Sequence, residues 1–567
     1  MKFRLLVPIA GFSSLCVAQT LVPKGFEAWK VPIETRVFAG SFSRNPDNRT
    51  IRLTGCQNEY LSGQLACRNN RDADLRYEKT PLRGPGNSII PAQALRVRFG
   101  AYIPVDETGQ YTADPLTESA TCHLPANIAQ PVWITLHVPR DATPGTYSGT
   151  IKLIAANESL NVPLEVEVLN AALPDPPDYS YYLNIWQDPN GVARAHKVKL
   201  WSEEHWRLLT LYAENLAQHG EKSIMTSIIH DPWNSQTGYE FPAMVEWKYP
   251  GEWEPGQESR FSWDFSIFDR YVSTMIHAGV RQKIDMYAMV KGPGGTPDAS
   301  IRYLDTKAGI YRTEKLQVGD AKWAAAWKVF LPALRSHLEQ KGWWRLAYLG
   351  FDEKPKRIMD QLFDFIAKEG SGFRLVMSGG HAQAGGDNEV VLYWDDLYNP
   401  EAWKNTYAPM VKTMMQNGQL VTWYTACEPR SPNTFIFSSL RDPRMFGWIT
   451  AKYGLRGYTR WAVNAFPENI WNQPRYKWPS GDMFFLYPGE NGPLDSMRWE
   501  LLRQGIEDYE ALRLAQNLAS TQGRQDLLRS LNTAIARATM LDSCGEIPLV
   551  EASREVVNSV LRQLGGK

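Results

Sequence analysis

The chain lacks the charge excess and the apolar segments that mark several common classes of protein. Its 61 Lys and Arg residues match its 61 Asp and Glu residues, so the formal net charge is zero. Nucleic acids and anionic membranes favour partners with a basic face, and this balance gives no sign of one. After the N-terminal region, no segment is apolar enough to cross a bilayer. We therefore expect no nucleic-acid partner and no integral membrane span.

Cysteine is also scarce, with six residues in a chain of 567. The absence of a CxxC pair argues against a zinc cluster, and the nine His residues form neither an HxH pair nor an HExxH motif. The GxSxG segment of many serine hydrolases is missing too. The sequence thus implies no metal and no organic cofactor. Cys56 and Cys67 are close enough in the chain to form a disulfide.

The first 18 residues have the pattern of a secretory signal peptide. Lys2 and Arg4 supply the charged start, residues 5–17 are mostly apolar, and Ala18 ends a small-residue cleavage site. The mature chain would begin at Gln19. The sequence therefore predicts an exported protein, either periplasmic or extracellular.

Residues 19–172 have the pattern of short β-strands. Apolar and polar residues alternate over residues 132–138, 147–154 and 160–169, with turn signals between these runs. Such strands predict an antiparallel β-sandwich. Three prolines within residues 174–177 cannot continue a strand or a helix interior, so we place a domain boundary there.

After the boundary, strand-like runs alternate with helical runs. The eight strand candidates are residues 181–186, 223–229, 283–289, 345–351, 373–377, 389–393, 419–424 and 457–462. This alternation fits a TIM-like (β/α)8 barrel over residues 178–495 better than it fits an open sheet. Residues 496–567 are predicted to be a helical segment. The chain is thus expected to be a multidomain protein of β plus α/β class.

In a barrel of this kind, catalytic and binding groups lie at the C-terminal ends of the strands. The candidate binding residues at these ends are Trp186, Asp231, Trp394, Trp423, Tyr424, Trp461 and Asn464. The chain contains 21 Trp and 25 Tyr residues. These rings fit either a cleft that covers the apolar faces of sugars or a large core.

Asp352 and Glu353 are the strongest catalytic candidates, because an apolar strand runs directly into them. Burial and mutual repulsion should raise the pKa of one of two adjacent carboxyl groups. A protonated acid beside an ionised one suits the cleavage of a glycosidic bond. The alternative is structural, with the acids as caps for the helix that follows Pro355.

Seven segments after the boundary carry more specific patterns: LNIWQDPNGVARAH (183–196), LWSEEHW (200–206), HDPWNSQT (230–237), FDEKP (351–355), WYTACEPRSPNTF (423–435), GYTRWAVNAF (457–466) and GDMFFLYPGENGPLDSMRWELLRQGIEDYEALR (481–513). In this order they resemble glycoside hydrolase family 123, the β-N-acetylgalactosaminidases. The preceding sandwich resembles the N-terminal domain of that family, with weaker motifs.

The resemblance implies a retaining exo-glycosidase that removes terminal β-linked N-acetylgalactosamine from a glycan or glycolipid. The 2-acetamido carbonyl of the substrate would attack the anomeric carbon, with Glu353 as general acid/base. Asp352 would orient the acetamido group and stabilise the oxazolinium ion. Tyr424 is the candidate for a hydrogen bond to the acetamido group, and Trp394 and Trp461 are candidates for contacts with the sugar.

Lys354 departs from the family pattern, in which Arg often follows the two acids. A lysine keeps the positive charge but not the bidentate fork of a guanidinium. Two other functions stay open: a related glycosidase with another sugar specificity, and a carbohydrate-binding protein with an inactive site. The sequence does not indicate an oligomeric state.

Overall fold

A computed structural model describes residues 23–565, with the exception of residues 293–297, 371, 378–388 and 541–548. The signal peptide lies outside the described residues, so it stays a prediction. In the part of the chain that is described, no helix is both long and apolar enough to span a bilayer.

The N-terminal unit is a β-sandwich. Its strands are β1 (Glu27–Val31), β2 (Ile51–Gln57), β3 (Tyr60–Arg68), β4 (Ala73–Lys79), β5 (Leu82–Arg83), β6 (Ile89–Ile90), β7 (Leu95–Val105), β8 (Gln110–Thr117), β9 (Thr121–Leu124), β10 (Gln130–His137), β11 (Gly145–Ala155) and β12 (Glu158–Ala172). One sheet has the order β1-β3-β10-β7-β8, and the other has β2-β12-β11-β4-β9 with β5 and β6 at its side. The pairing is antiparallel as predicted, except that β2 joins β12 in parallel.

The apolar alternation in β10 serves two interfaces. Val132, Ile134 and Leu136 pack into the core between the two sheets. Trp133 points the other way and packs with Met497 and Leu501 of the C-terminal region. Both faces of this strand are therefore buried, one by the second sheet and one by the catalytic unit.

Cys56 and Cys67 are both buried free thiols, so they do not form the disulfide that their spacing would allow. Cys67 packs into the core of the sandwich. Cys56 belongs to the large core that the barrel and its helices share. The two side chains face different cores despite their short separation in sequence.

The second unit alternates strands and helices. In chain order its elements are β13 (Tyr182–Ile185), α1 (Pro189–Ala195), α2 (Glu203–Gln218), β14 (Ser223–Ser227), β15 (Glu246–Tyr249), β16 (Ser262–Asp264), α3 (Ser266–Ala278), β17 (Lys283–Tyr287), β18 (Ile301–Asp305), β19 (Ile310–Glu314), α4 (Ala321–Gln340), β20 (Ala347–Phe351), α5 (Lys356–Glu369), β21 (Arg374–Met377), β22 (Glu389–Tyr393), α6 (Trp394–Tyr398), α7 (Pro400–Ala402), α8 (Ala408–Gln416), β23 (Leu420–Tyr424), α9 (Arg441–Lys452), β24 (Gly457–Arg460), β25 (Tyr487–Pro488), β26 (Pro493–Leu494), α10 (Met497–Thr521), α11 (Gln525–Ala538) and α12 (Leu549–Leu564).

Eight of these strands form a parallel barrel in the order β13-β24-β23-β22-β21-β20-β17-β14. An isolated parallel bridge between Leu183 and Glu221 joins the β13 side to the β14 side. Every one of the eight strands falls within a predicted strand, so the predicted barrel is confirmed. A small sheet of order β16-β15-β18-β19 is inserted in the connections after β14 and β17.

Helix α2 illustrates how local sequence sets the barrel's outer layer. The Ser202 hydroxyl accepts the His205 backbone N–H at 3.3 Å and caps the helix, while Glu203 and Glu204 occupy its first turn. Acidic groups are favoured at that end by the helix dipole. The buried stripe that follows contains Leu208, Leu209, Tyr212, Ala213 and Leu216, and it packs into the shared core of the barrel.

Buried ion pairs join the sandwich to the catalytic unit. Asp114 of β8 accepts hydrogen bonds from Arg498 of α10, at 2.9 Å from Nη2 and 3.0 Å from Nε. Tyr487 donates its hydroxyl to Asp114 Oδ2 at 2.7 Å. All three side chains are buried. A buried charge without its partner is costly, so this contact requires both units to fold together.

A second network contains the carboxylates of Asp495 and Glu500, with His219 beside them. Arg98 of the sandwich lies 2.5 Å from Asp495 and 3.0 Å from Glu500, and Arg503 lies 2.7 Å from Glu500. Burial lowers the pKa of His219 to about 3, so its ring is neutral. The arginines balance the carboxylates, and the cluster acts as another ionic contact between the two units.

We expect Tyr487→Phe to lower the free energy of unfolding by about 2 kcal/mol, because it removes a buried hydrogen bond to a charged group and leaves the ring in place. Denaturation in urea, followed by far-UV circular dichroism, measures this change. Tyr111→Phe, at an exposed position of the sandwich, is the control and should have little effect. Equal stability of the two variants would contradict the role given to the Tyr487 hydroxyl.

Candidate active site

The acidic pair lies where β20 ends. The strand is mostly buried and stops at Phe351, so the chain leaves the barrel core at Asp352. Asp352 is partly buried, whereas Glu353 is exposed. The Glu353 backbone N–H donates to Asp352 Oδ1 at 2.8 Å, which orients the Asp352 carboxylate. Helix α5 begins after Pro355 without a side-chain cap, so the two acids are not its capping residues.

Two tyrosines on neighbouring strands hold the Glu353 carboxylate. Tyr393 ends β22, Tyr424 ends β23, and the two residues are paired in register. Each phenol donates its O–H to Glu353 Oε1 at 2.6 Å, and the ring centroids are 4.5 Å apart. Burial, together with the neighbouring Glu353 carboxylate, raises the pKa of both phenols, so both remain protonated donors. The carboxylate is thereby held in one orientation at the mouth of the barrel.

A buried lysine lies beside the pair. Burial raises the pKa of Asp352 to about 6, while the charge of Lys354 opposes this rise and that of Glu353 adds to it. Lys354 is 3% exposed, and its Nζ has no hydrogen-bond partner among the described residues. Burial also lowers the pKa of Lys354, against the influence of the two carboxylates. The ammonium thus favours the ionised form of Asp352.

A cavity opens at the same end of the barrel, beyond the ends of β13, β14 and β24. The space between its walls is about 360 Å³ when the open solvent at its mouth is included. Aromatic, amide and carboxylate side chains line most of it, and the lining residues are Trp186, Gln187, Asp188, Met225, Asp231, Trp233, Gln236, Thr237, Tyr239, Phe241, Trp461, Ala462 and Ala465.

The acidic pair does not line this cavity, because β14 and β17 lie between β13 and β20 in the barrel. Tyr287, at the end of β17, connects the two regions. Its ring lies 4.9 Å from that of Trp186. On its other side it covers Gly350, where a Cβ atom would come within 2.7 Å of the ring. The cavity and the pair are therefore neighbouring parts of one barrel mouth.

The chain was compared with protein-family models. The model of the glycoside hydrolase 123 catalytic domain matches residues 186–515, more than half of the chain, and the model of the glycoside hydrolase 123 N-terminal domain matches residues 41–155. The chain belongs to glycoside hydrolase family 123. The enzyme is thus a glycoside hydrolase, and the predicted family is confirmed.

A solved structure of the same family agrees with this fold. A family 123 glycoside hydrolase from Clostridium perfringens, described in connection with glycolipid glycan hydrolysis, matches with a TM-score of 0.80 and 19% identity, over 95% of this chain and 97% of that one. An endo-β-1,4-mannanase from Thermotoga petrophila has a TM-score of 0.32 and 11% identity, over 59% and 77% of the two chains. A GH10 xylanase with a bacterial Ig-like domain from termite gut has a TM-score of 0.29 and 12% identity, over 82% of this chain and 100% of that one. No curated protein matches.

In this family 123 enzyme, three of the predicted binding residues line the cavity: Trp186, Asp231 and Trp461. Asn464 lies behind the wall, where its Oδ1 accepts the backbone N–H of Asp188 at 2.7 Å. Tyr424 is bonded to Glu353 in this structure. Its predicted contact with the acetamido group stays a prediction.

The structure gives no support for the prediction that Trp423 binds substrate. Its side chain is 0% exposed, donates its indole N–H to Thr450 of α9 at 2.9 Å, and packs edge-on against Phe446. Successive side chains of a strand point to opposite faces, so Trp423 faces the helices while Tyr424 faces the barrel mouth. Trp394 is also buried, and its ring contacts Trp423 at 5.8 Å. Its contacts are those of a packing residue and give no support for the predicted sugar contact.

Three residues of the site were missed in the sequence. Tyr393, which bonds Glu353, immediately precedes Trp394, so the strand end was identified but the chosen ring lies one residue further along. Trp233 packs on Trp186 at 5.4 Å from a loop that has no periodic signal. Asp188, the N-cap of α1, lines the cavity, and burial raises its pKa to about 6 although the Gly191 backbone N–H donates to it. The adjacency of Asp188 to the strand end at Trp186 was the available signal.

Proposed function

We propose that this enzyme is a retaining exo-acting β-N-acetylgalactosaminidase that uses the 2-acetamido group of its substrate as the nucleophile. The observation that carries the proposal is the adjacency of Asp352 and Glu353 at the end of a single strand. Glycosidases with two catalytic carboxylates place them on opposite sides of the bond, about 5–9 Å apart depending on the class. Consecutive residues suit a mechanism in which the substrate supplies the nucleophile.

Glu353 is the general acid/base of the proposed reaction. Its carboxyl group protonates the glycosidic oxygen as the bond breaks, and its carboxylate later removes a proton from the attacking water. Tyr393 and Tyr424 bond the same oxygen, Oε1, so the side chain presents a fixed orientation to the substrate. Their hydroxyl groups also stabilise the carboxylate that forms when the proton leaves.

Asp352 stabilises the positive charge that develops on the acetamido group. In its ionised form it accepts the acetamido N–H and holds the carbonyl oxygen towards the anomeric carbon. The charge of an oxazolinium ion is best stabilised by a preorganised anion in a site with little water. Lys354 keeps this anion accessible near neutral pH despite its burial.

A panel of aryl glycosides tests the proposed specificity. We expect turnover of an aryl β-N-acetylgalactosaminide and none of the matching β-galactoside, because the galactoside lacks the nucleophile. Equal turnover of both would overturn substrate assistance but retain a glycosidase. Preference for an aryl β-N-acetylglucosaminide would indicate a related specificity, and sugar binding without turnover would indicate an inactive binding protein.

We expect the kcat/KM for the aryl substrate to fall as the pH drops through about 6, because burial raises the pKa of Asp352 to about 6 and the reaction needs its ionised form. Activity should be retained above this pH and lost below it. The pH profile of kcat/KM measures this fall on its acidic side, which we call the acid limb.

The residue responsible for that limb can be identified through Lys354. Lys354→Met removes a charge that lowers the pKa of Asp352, so the limb should move to higher pH. Lys354→Arg keeps the charge and should leave the limb near its original position. A limb that is unchanged in Lys354→Met would argue against Asp352 as the titrating group.

We also propose that the enzyme is exported and acts on glycans or glycolipids outside the cytoplasm. The support is the signal-peptide pattern of the first 18 residues. N-terminal sequencing of protein recovered from the periplasm or the medium should find Gln19 as the first residue. Recovery of the uncut chain from the cytoplasm alone would contradict the proposal.

A further inference from the structure

An exposed aromatic ring lies against a loop that borders the cavity. Tyr476 belongs to the loop that follows β24, and it is 43% exposed. A Cβ atom at Gly238 would come within 3.0 Å of its ring and its hydroxyl oxygen. Gly238 has a φ of +91° and stands between Thr237 and Tyr239, both of which line the cavity. The Tyr476 ring therefore rests directly on the loop that forms one side of the cavity.

The same loop also contacts a second segment of the cavity lining, through Trp478. The ring of Trp478 meets that of Trp461, a lining residue, at 5.9 Å and an interplanar angle of 76°. Trp461 is in turn held by Asp482, whose Oδ2 accepts its indole N–H at 2.7 Å. Two aromatic residues of one loop, at positions 476 and 478, thus contact two different segments that border one cavity.

We propose that Tyr476 is the platform for the sugar unit next to the one that is removed, in other words an aglycone subsite. This inference rests on the proposed function. It concerns the second sugar of the substrate, which the proposed function does not specify. An exo-enzyme holds the terminal sugar inside the barrel mouth and leaves the next unit outside. We assign that unit to Tyr476 because its ring is exposed and rests on the loop that borders the cavity.

The surroundings of the ring favour a sugar over a lipid chain as the occupant. Arg475 and Lys477 flank Tyr476 and are exposed, and the Lys477 ammonium lies 5.6 Å from the ring centroid. An acyl chain needs a continuous apolar surface, which charged neighbours interrupt. A single exposed ring, with the Lys477 ammonium over it and Arg475 next to it in the sequence, offers a contact of the size of one pyranose ring, whose hydroxyl groups can bond the two charged side chains.

The test compares two substrates that share the terminal sugar. β-N-Acetylgalactosaminyl fluoride has no aglycone sugar, whereas a disaccharide with β-linked N-acetylgalactosamine on galactose has one. We expect Tyr476→Ala to lower kcat/KM for the disaccharide roughly tenfold, the effect of losing one aromatic contact, and to leave that for the fluoride unchanged. Tyr476→Phe keeps the ring and should retain most activity on both. Tyr111→Ala, at 42% exposure in the sandwich, is the matched control.

Each other outcome overturns the inference in a recognisable way. Equal losses on the two substrates would assign Tyr476 to the terminal sugar or to the fold, and no loss on either would remove it from binding. A loss confined to an intact glycolipid, absent with its free oligosaccharide, would indicate a lipid contact instead. Failure of the parent enzyme to hydrolyse either substrate would overturn the proposed function, and this inference with it.

Discussion

Glu353→Gln should lower kcat for an aryl β-N-acetylgalactosaminide by roughly 10²–10⁴-fold, the usual contribution of a general acid/base. Glutamine has the same shape as the acid, and its carbonyl oxygen can still accept the two tyrosine hydroxyls that Oε1 accepts at 2.6 Å. The variant therefore removes the transferable proton and preserves the local packing. Steady-state kinetics on the purified variant measure the loss.

The dependence of this loss on the leaving group identifies the role of Glu353. A leaving group with a low pKa departs without a proton, so the loss in bond cleavage should be smaller for a dinitrophenyl glycoside than for a methylumbelliferyl glycoside. Glu401→Gln, an exposed acid of α7, is the control and should leave kcat unchanged. Near-parental activity of Glu353→Gln, or a loss that is equal for all leaving groups, would reject the assignment.

The barrel was predictable because its strands are buried on both faces. Helices outside and side chains inside bury both faces, so several strands are short apolar runs bounded by turn residues, although β17 also buries Lys283 and Asp285. Two acids follow residues 347–351 directly, and the rule that barrel sites lie at strand ends selects that pair. Position along the chain was enough to place Asp352 and Glu353 at the end of this strand.

Side-chain direction at the strand ends was not predictable in the same way. A shift of one residue moves a side chain to the other face of the sheet. This is why Trp423 lies against α9 while its neighbour Tyr424 reaches Glu353. For the same reason, Trp394 was predicted to lie in the cleft instead of Tyr393. Large aromatic rings occur both in cores and in sugar-binding sites. Residue type therefore could not show which of two adjacent residues faces the barrel mouth.

Contacts between residues that are far apart in the chain could not be predicted from the sequence. Asp114 and Arg498 are separated by 384 positions, yet they form a buried ion pair. Neither residue has a local pattern that distinguishes it from a solvated surface charge. The boundary region at residues 174–177 indicates that there are two units. It does not predict which residues of the two units contact each other.

Asp352→Asn should lower kcat for the N-acetylated substrate by roughly 10²–10³-fold, the loss typical of removing one preorganised group that stabilises charge in the transition state. The amide can still accept the Glu353 backbone N–H that Oδ1 accepts at 2.8 Å, so the backbone of the strand end should be maintained. Thermal unfolding of the variant, compared with the parent, checks that the fold is retained.

Two further measurements separate this role from a general effect on the site. The acid limb near pH 6 should disappear from the pH profile of Asp352→Asn, because the group whose pKa burial raises to about 6 is gone. The double variant with Glu353→Gln should lose little more than the worse single variant, since residues that act in one step are not additive. If the acid limb persists in this variant, another carboxyl group is responsible for it. Asp188 of the cavity wall is the next candidate, because burial raises its pKa to about 6 as well.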